Sequence, residues 1–296
     1  MPVQTAALTP AQIAAYHEIG YLAVEDVLPM ADIAAARQAV VDFVERSRQA
    51  TESDAIFDLE PGHTRDAPRL RRIKDPTKHD ERFARLLHNE RLIDIVAALF
   101  GTGVRFQVSK LNMKDAAFGS PVQWHQDWAF YPHTNDNLLA VGVALDDCTP
   151  ENGCMLMAPG SHRGPIHDHH QDGVFVGAVH AGDLRDVLAE AVPVPVGAGG
   201  ISLHHVRTLH GSAPNTSSLP RRLLLLQMTA IDAWPLSGVP DFAAWNELIL
   251  RGEPTSEFRM ERMAVKMPQP QPERRGSIYE IQTQLREDRE VFARPT

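Results

Sequence analysis

Four side chains in this 296-residue sequence have the types and spacing for metal chemistry: His125, Asp127, His210 and Arg221. The first two lie in Gln123-Trp124-His125-Gln126-Asp127-Trp128, among aromatic and β-branched neighbours. Residues two apart on a β-strand project from one face, so this imidazole and carboxylate would point together. His210 opens His210-Gly211-Ser212-Ala213-Pro214-Asn215, and Arg221 follows eleven residues later, ahead of a run of leucines. Two imidazoles and one carboxylate on one face of a metal leave the opposite positions open, the arrangement of non-haem Fe(II) oxygenases. The planar fork of an arginine grips a carboxylate at two points, as a keto-acid cosubstrate requires.

Other histidines compete for the same reading. His170-Gln171-Asp172 repeats the central triplet, but inside the polar stretch from His167 to Gly173, with a turn residue and no β-former. That composition predicts a solvated loop, with His167, His169 and His170 on its surface. His88-Asn89-Glu90 lies in a segment of helical periodicity, where positions two apart do not face each other. His204 and His205 flank a strand near His210 and read as structural histidines; Arg163, after Gly160-Ser161-His162, reads as a turn residue.

The chain resembles the phytanoyl-CoA dioxygenase family of Fe(II)/2-oxoglutarate-dependent oxygenases over most of its length. The resemblance starts at Leu8-Thr9-Pro10-Ala11-Gln12-Ile13, Gly20-Tyr21-Leu22 and Val27-Leu28-Pro29, and passes through Trp124-His125-Gln126-Asp127-Trp128. It continues through the stretch Leu145 to Cys154 and Pro159-Gly160-Ser161-His162, and closes with His205 to Arg222. It implies that His125, Asp127 and His210 ligate iron and that Arg221 anchors the distal carboxylate of 2-oxoglutarate. Ser212 would hydrogen-bond the same carboxylate, and Asn112 would meet the cosubstrate's other end. Strand alternation sends only one of the adjacent Arg221 and Arg222 inward; the family spacing favours Arg221, while the sequence alone leaves both open. Fe(II), 2-oxoglutarate and O2 are the implied cofactors.

Composition narrows the partners. A net charge of −9 argues against nucleic acid and anionic membranes, both of which demand a basic face. Two cysteines, Cys148 and Cys154, are too few for a disulfide scaffold and read as a free, half-buried thiol pair. The N-terminus lacks a basic region before an apolar core, and no apolar run approaches the ~18 residues of a membrane span. The expectation is a soluble, cytoplasmic protein acting on a small molecule, with one domain over residues 1–296.

The elements that must position these residues follow from local pattern. Thr9 to His17 reads as a helix with Thr9 as N-cap and Pro10 at its first position, stopped by Gly20. Tyr21 to Val24 reads as a strand and Met30 to Ser47 as an amphipathic helix. Arg48 to Lys78 reads as a long polar loop lying over a pocket mouth. Asp80 to Phe100 reads as a second long helix ending at Gly101. Strands are then expected at Arg105 to Met113, Val122 to Trp128, Leu138 to Leu145 and Cys154 to Ala158. Further strands are expected at Val174 to Val179, Gly200 to His205 and Leu223 to Ile231, before a final helix, Ile278 to Phe292. About eight strands without helical crossovers imply a mainly-β fold, a double-stranded β-helix (jelly roll, cupin-like) with N-terminal helices packed outside.

The implied reaction is hydroxylation of an unactivated C–H bond, with succinate and CO2 as coproducts. Related halogenases carry a small residue where this chain has Asp127, so the carboxylate points to hydroxylation. Desaturation or cyclisation by the same oxidant, a cosubstrate-independent cupin-like metalloenzyme, a zinc hydrolase on the same ligands and a non-catalytic jelly-roll binding protein stay open as alternatives. For substrate contacts the candidates are Lys110, two residues before Asn112 on one strand face and able to pair with an anion, and Trp128, Phe130 and Tyr131, which follow the ligand pair.

Overall fold

A computed structural model describes residues 7–116, 119–273 and 276–293 of the chain. The N-terminal third runs α1 (Pro10–Ile19), β1 (Tyr21–Val24), α2 (Met30–Ser47), β2 (Phe57–Leu59), β3 (Leu70–Lys74), α3 (Pro76–His79), α4 (Glu81–Leu87) and α5 (Glu90–Phe100). Strands then dominate: β4 (Val104–Lys114), β5 (Val122–His125), β6 (Leu138–Ala144), β7 (Met155–Met157), β8 (His170–Gln171) and β9 (Val174–Phe175). The chain continues through α6 (Arg185–Leu188), β10 (Val192–Val194), β11 (Ile201–His205), β12 (His210–Ser212) and β13 (Arg221–Ala230). It ends with α7 (Phe242–Glu247), β14 (Ile249–Arg251) and α8 (Ile278–Gln282).

The strands form a jelly roll of two facing antiparallel sheets. The larger runs β1-β11-β6-β13-β4-β3-β2, with β14 also on β4; the smaller runs β10-β7-β12-β5. Alternation along β13 divides its leucines between two cores. Leu224 and Leu226 pack with Ile33, Phe43, Phe83 and Leu92 of the N-terminal helices. Leu223 and Leu225 pack with Met155, Met157 and Val194 of the smaller sheet. The helices therefore cover one face of the large sheet and leave the other to line the interior of the roll. No helix among the described residues is long and apolar enough to cross a membrane.

The opening elements follow their sequence signals closely. Thr9 caps α1 in a reciprocal capping box with Gln12, and Gly20 closes it in the left-handed conformation at φ 85°. Several expectations are corrected. The segment from Arg48 to Lys78 is not a structureless loop: it holds β2, β3 and α3, and β3 joins the large sheet beside β4. The expected helix Asp80 to Phe100 is two helices, because Asp80 caps α4 and the Asn89 side chain accepts from the Leu92 amide at 3.1 Å to start α5. The final helix stops at Gln282 and is followed by a 3-10 turn at Glu287–Arg289. The expected strand at Val174 to Val179 contributes only the two residues of β9, paired with β8.

Candidate active site

β5 and β12 are neighbours in the smaller sheet, and their register sets His125 directly opposite His210. The ring centroids lie 4.1 Å apart. The strand expected to reach Trp128 ends at His125, and Asp127 opens a 3-10 turn, Asp127–Ala129. This bend still returns the carboxylate to the two imidazoles: one ligand atom from each of His125, Asp127 and His210 lies within 4.8 Å of the others. All three are buried.

Each histidine is preset for a metal. His125 Nδ1 donates to the Gln123 carbonyl at 2.8 Å, and His210 Nδ1 to the Thr208 carbonyl at 2.9 Å. A carbonyl can only accept, so the proton sits on Nδ1 and the Nε2 lone pair is left for a ligand. Burial pushes the His125 imidazole down to about 4 and His210 well below the usual range, which keeps both neutral. Burial alone would raise the Asp127 carboxyl, but the Lys110 ammonium and a hydrogen bond from His204 outweigh it and hold the group well below the carboxylate range. Two neutral imidazoles and one carboxylate are the donor set that suits Fe(II) with open positions.

Gln126, between the ligands, is fixed from three sides. Its backbone amide donates to His169 Nε2 at 2.9 Å, its side-chain amide donates to the carbonyls of Pro165 and Arg207, and its Oε1 accepts from the His167 amide. His169 is thus a buried support rather than loop surface, and burial lowers its imidazole to about 3. The triplet at 170 makes no metal group: His170 Nδ1 is hydrogen-bonded to Asp168, and Asp172 pairs with Arg286. The sequence reading also missed the position of His204. Its Nε2 lies 3.3 Å from Asp127 Oδ2 and its ring 4.2 Å from that of His210, so it steadies the carboxylate from within the cavity. The parity of β11 held a signal, since consecutive His204 and His205 must face opposite sides.

One cavity gathers His125, Asp127 and His210 with Lys110, Asn112, Ser212 and Arg221. The large sheet's register explains the company: Arg221, Leu223 and Leu225 of β13 stand opposite Lys114, Asn112 and Lys110 of β4, so all six share the inner face. The neighbouring arginines part as alternation requires. Arg221 is buried, with Nε and Nη2 donating to the Gly153 carbonyl at 3.2 and 2.9 Å, while Nη1 has no hydrogen-bond partner. Arg222 instead turns outward to Asp146, at 2.6 and 2.7 Å. Gly153 sits at φ 78°, and a Cβ there would lie 2.5 Å from the Ala213 carbonyl oxygen, so glycine is required for the support of Arg221. Asn112 Oδ1 is likewise buried without a partner.

The aromatic candidates separate. Phe130 lies 5.8 Å from the His125 ring, and with Tyr131 it lines an adjoining chamber that also reaches Asp127. Trp128 turns the other way, into the main core. Trp128→Ala is therefore expected to cost about 3–5 kcal/mol of stability, read as a lowered Tm; an unchanged Tm with a raised substrate KM would return the ring to the pocket.

Residues 16–223 match the family described as Phytanoyl-CoA dioxygenase (PhyH). The chain belongs to that family. It is 34% identical over 276 residues to a probable alpha-ketoglutarate-dependent hypophosphite dioxygenase of Stutzerimonas stutzeri, covering 91% of this chain and 96% of the relative. The structure of EctD from S. alaskensis with bound Fe superposes with a TM-score of 0.65 at 25% identity, over 89% of this chain and 90% of that one. EctD with 2-oxoglutarate and 5-hydroxyectoine gives a TM-score of 0.63, also at 25% identity and with the same coverage. This member of the PhyH family is a non-haem Fe(II)/2-oxoglutarate-dependent dioxygenase, and its cofactors are Fe(II), 2-oxoglutarate and O2.

Proposed function

We propose that this dioxygenase hydroxylates an unactivated C–H bond of a small organic substrate, as a single catalytic domain working in the cytoplasm. The observation that carries the reading is one cavity holding three converging buried ligand atoms and an inward arginine with a free Nη1. On this reading the Nε2 atoms of His125 and His210 and one oxygen of Asp127 hold Fe(II). The bound metal supplies oxygen activation coupled to decarboxylation of 2-oxoglutarate. Arg221 Nη1 and the Ser212 hydroxyl hold the distal carboxylate, and Asn112 meets the cosubstrate's other end. His204 keeps the second Asp127 oxygen from swinging. Met155, Leu225 and Ile278 supply apolar wall to the same cavity and limit water there.

The overall balance is substrate R–H plus 2-oxoglutarate plus O2 giving R–OH, succinate and CO2. The relative from Stutzerimonas stutzeri carries hypophosphite in its name. The chambers that lead away from Asp127, about 100 and 270 Å³, leave room for an organic molecule.

With Asp127 as a ligand, chloride has no vacated position. Wild-type turnover in chloride buffer under 18O2 is expected to give product one labelled oxygen heavier, with one succinate per product, and no chlorinated species. Mass spectrometry decides: a chlorinated main product, a product two hydrogens lighter without oxygen, or full turnover without 2-oxoglutarate would overturn the reading.

A further inference from the structure

Beyond the metal the inner face of the large sheet turns cationic. Register places Arg72 of β3 opposite Asn112 and Lys74 opposite Lys110, so four polar side chains from two neighbouring strands share one face. Like charges directly opposite on a sheet repel, and such pairs are destabilising unless something of opposite sign lies between or beside them. Asp58 supplies part of that charge. It is fully buried and 2.8 Å from Lys74, but 3.8 Å from Arg72, beyond hydrogen-bond reach. One carboxylate thus faces two cations on β3, and Lys110 across the ladder adds a third.

Two of these cations border open space. Arg72 is largely buried, yet its Nε has no hydrogen-bond partner. Among the described residues Lys110 has no ion pair within salt-bridge distance; its ammonium lies 5.8 Å from the centroid of the Tyr131 ring. Both side chains line two consecutive chambers. The inner one, about 100 Å³, reaches Asp127 and Phe130. The outer one, about 270 Å³, adds Lys74, Val108 and Ser109, and Ser277 lines both. Asp75 also borders the outer chamber, but it is turned toward Lys78, at 3.2 Å, and the Ser109 amide.

We propose that these chambers bind a substrate with an anionic oxyacid head, a phosphonate or carboxylate, held between Arg72 and Lys110 with its carbon chain directed at the metal site. This deepens the hydroxylase reading and rests on it. Arg72 would supply the two-point grip, since its fork matches an oxyanion edge. Lys110 would supply a point charge between the head and the Asp127 end of the site. A neutral substrate would leave Arg72 with its nearest carboxylate beyond hydrogen-bond reach and Lys110 without an ion pair among the described residues.

The test uses protein loaded with Fe(II) and saturating 2-oxoglutarate and held without oxygen, so that binding is read apart from turnover. Propylphosphonate, butyrate and neutral butanol are titrated calorimetrically into wild type, Arg72→Gln, Arg72→Lys and, as a control distant from the chambers, Arg163→Gln. The expected result is binding of one or both anions but not butanol, weakened about ten- to a hundredfold in Arg72→Gln, the range for losing hydrogen bonds to a charged group. Arg72→Lys should fall between, and Arg163→Gln should match wild type. Stronger binding of the phosphonate or of the carboxylate tells which head the chambers prefer. Equal binding of butanol, or anion affinity unchanged in a folded Arg72→Gln or Arg72→Lys protein, would overturn the proposal. The hydroxylase reading fails separately, if aerobic wild type supplied with Fe(II), 2-oxoglutarate and an anion that it binds forms no succinate.

Discussion

Alanine at His125, Asp127 or His210 is expected to abolish Fe(II)-dependent succinate formation, a loss of roughly a thousandfold or more, since a metal's contribution to such chemistry is worth several kcal/mol. The fold should persist. The three side chains line a cavity, and each histidine's other bond is a single link to a backbone carbonyl. His170→Ala is the matched control, because the 170 triplet repeats the spacing but is tied to Asp168 and Arg286. Metal content after dialysis against Fe(II), together with circular dichroism, reads the outcome. Loss of iron in His170→Ala with retention in His125→Ala would overturn the ligand assignment.

Arg221→Ala is expected to weaken 2-oxoglutarate far more than Arg222→Ala. Truncating one partner of a buried charge pair costs roughly 2–5 kcal/mol, or about 30- to several-thousand-fold in affinity. Arg222 lies outside that account, because its guanidinium is spent on Asp146, which Arg37 also approaches at 3.4 Å. Its loss should tell on stability and leave the cosubstrate requirement nearly unchanged. Titrating 2-oxoglutarate against both variants checks this, and a larger effect at Arg222 would mean that the other arginine holds the cosubstrate.

The sequence carried the site more clearly than the elements around it. His125 and Asp127 were legible because a two-residue spacing survives the bend at Gln126, even though the strand itself ends at His125. Arg221 and Arg222 could not be told apart without the β13–β4 register, which depends on contacts far apart in sequence. β3 was missed for a physical reason. In Leu70-Arg71-Arg72-Ile73-Lys74 the face that should be apolar carries Arg72 and Lys74, because it borders a cavity rather than a core. The break between α4 and α5 was hidden by apolar residues that continue into one shared core, although Asn89 followed by Glu90 is an N-cap signal. His169 escaped because polar neighbours suggest a surface, whereas its burial comes from the Gln126 amide it accepts. His204 escaped because its partner, Asp127, is remote in sequence.

The order of strands in the large sheet separates two kinds of inheritance. Arg221 and Asn112 ride on β13 and β4 in its middle, where each strand is locked by neighbours on both sides. Arg72 and Lys74 ride on β3, next to the free margin formed by β2. A change at that margin can alter the shape and charge of the outer chambers while the β13–β4 ladder keeps its alignment. On the readings proposed here, the anchors of the cosubstrate and the grip on the substrate's head are thus written on partly different strands, and a change on β3 would alter which molecule is taken without moving Arg221 or Asn112.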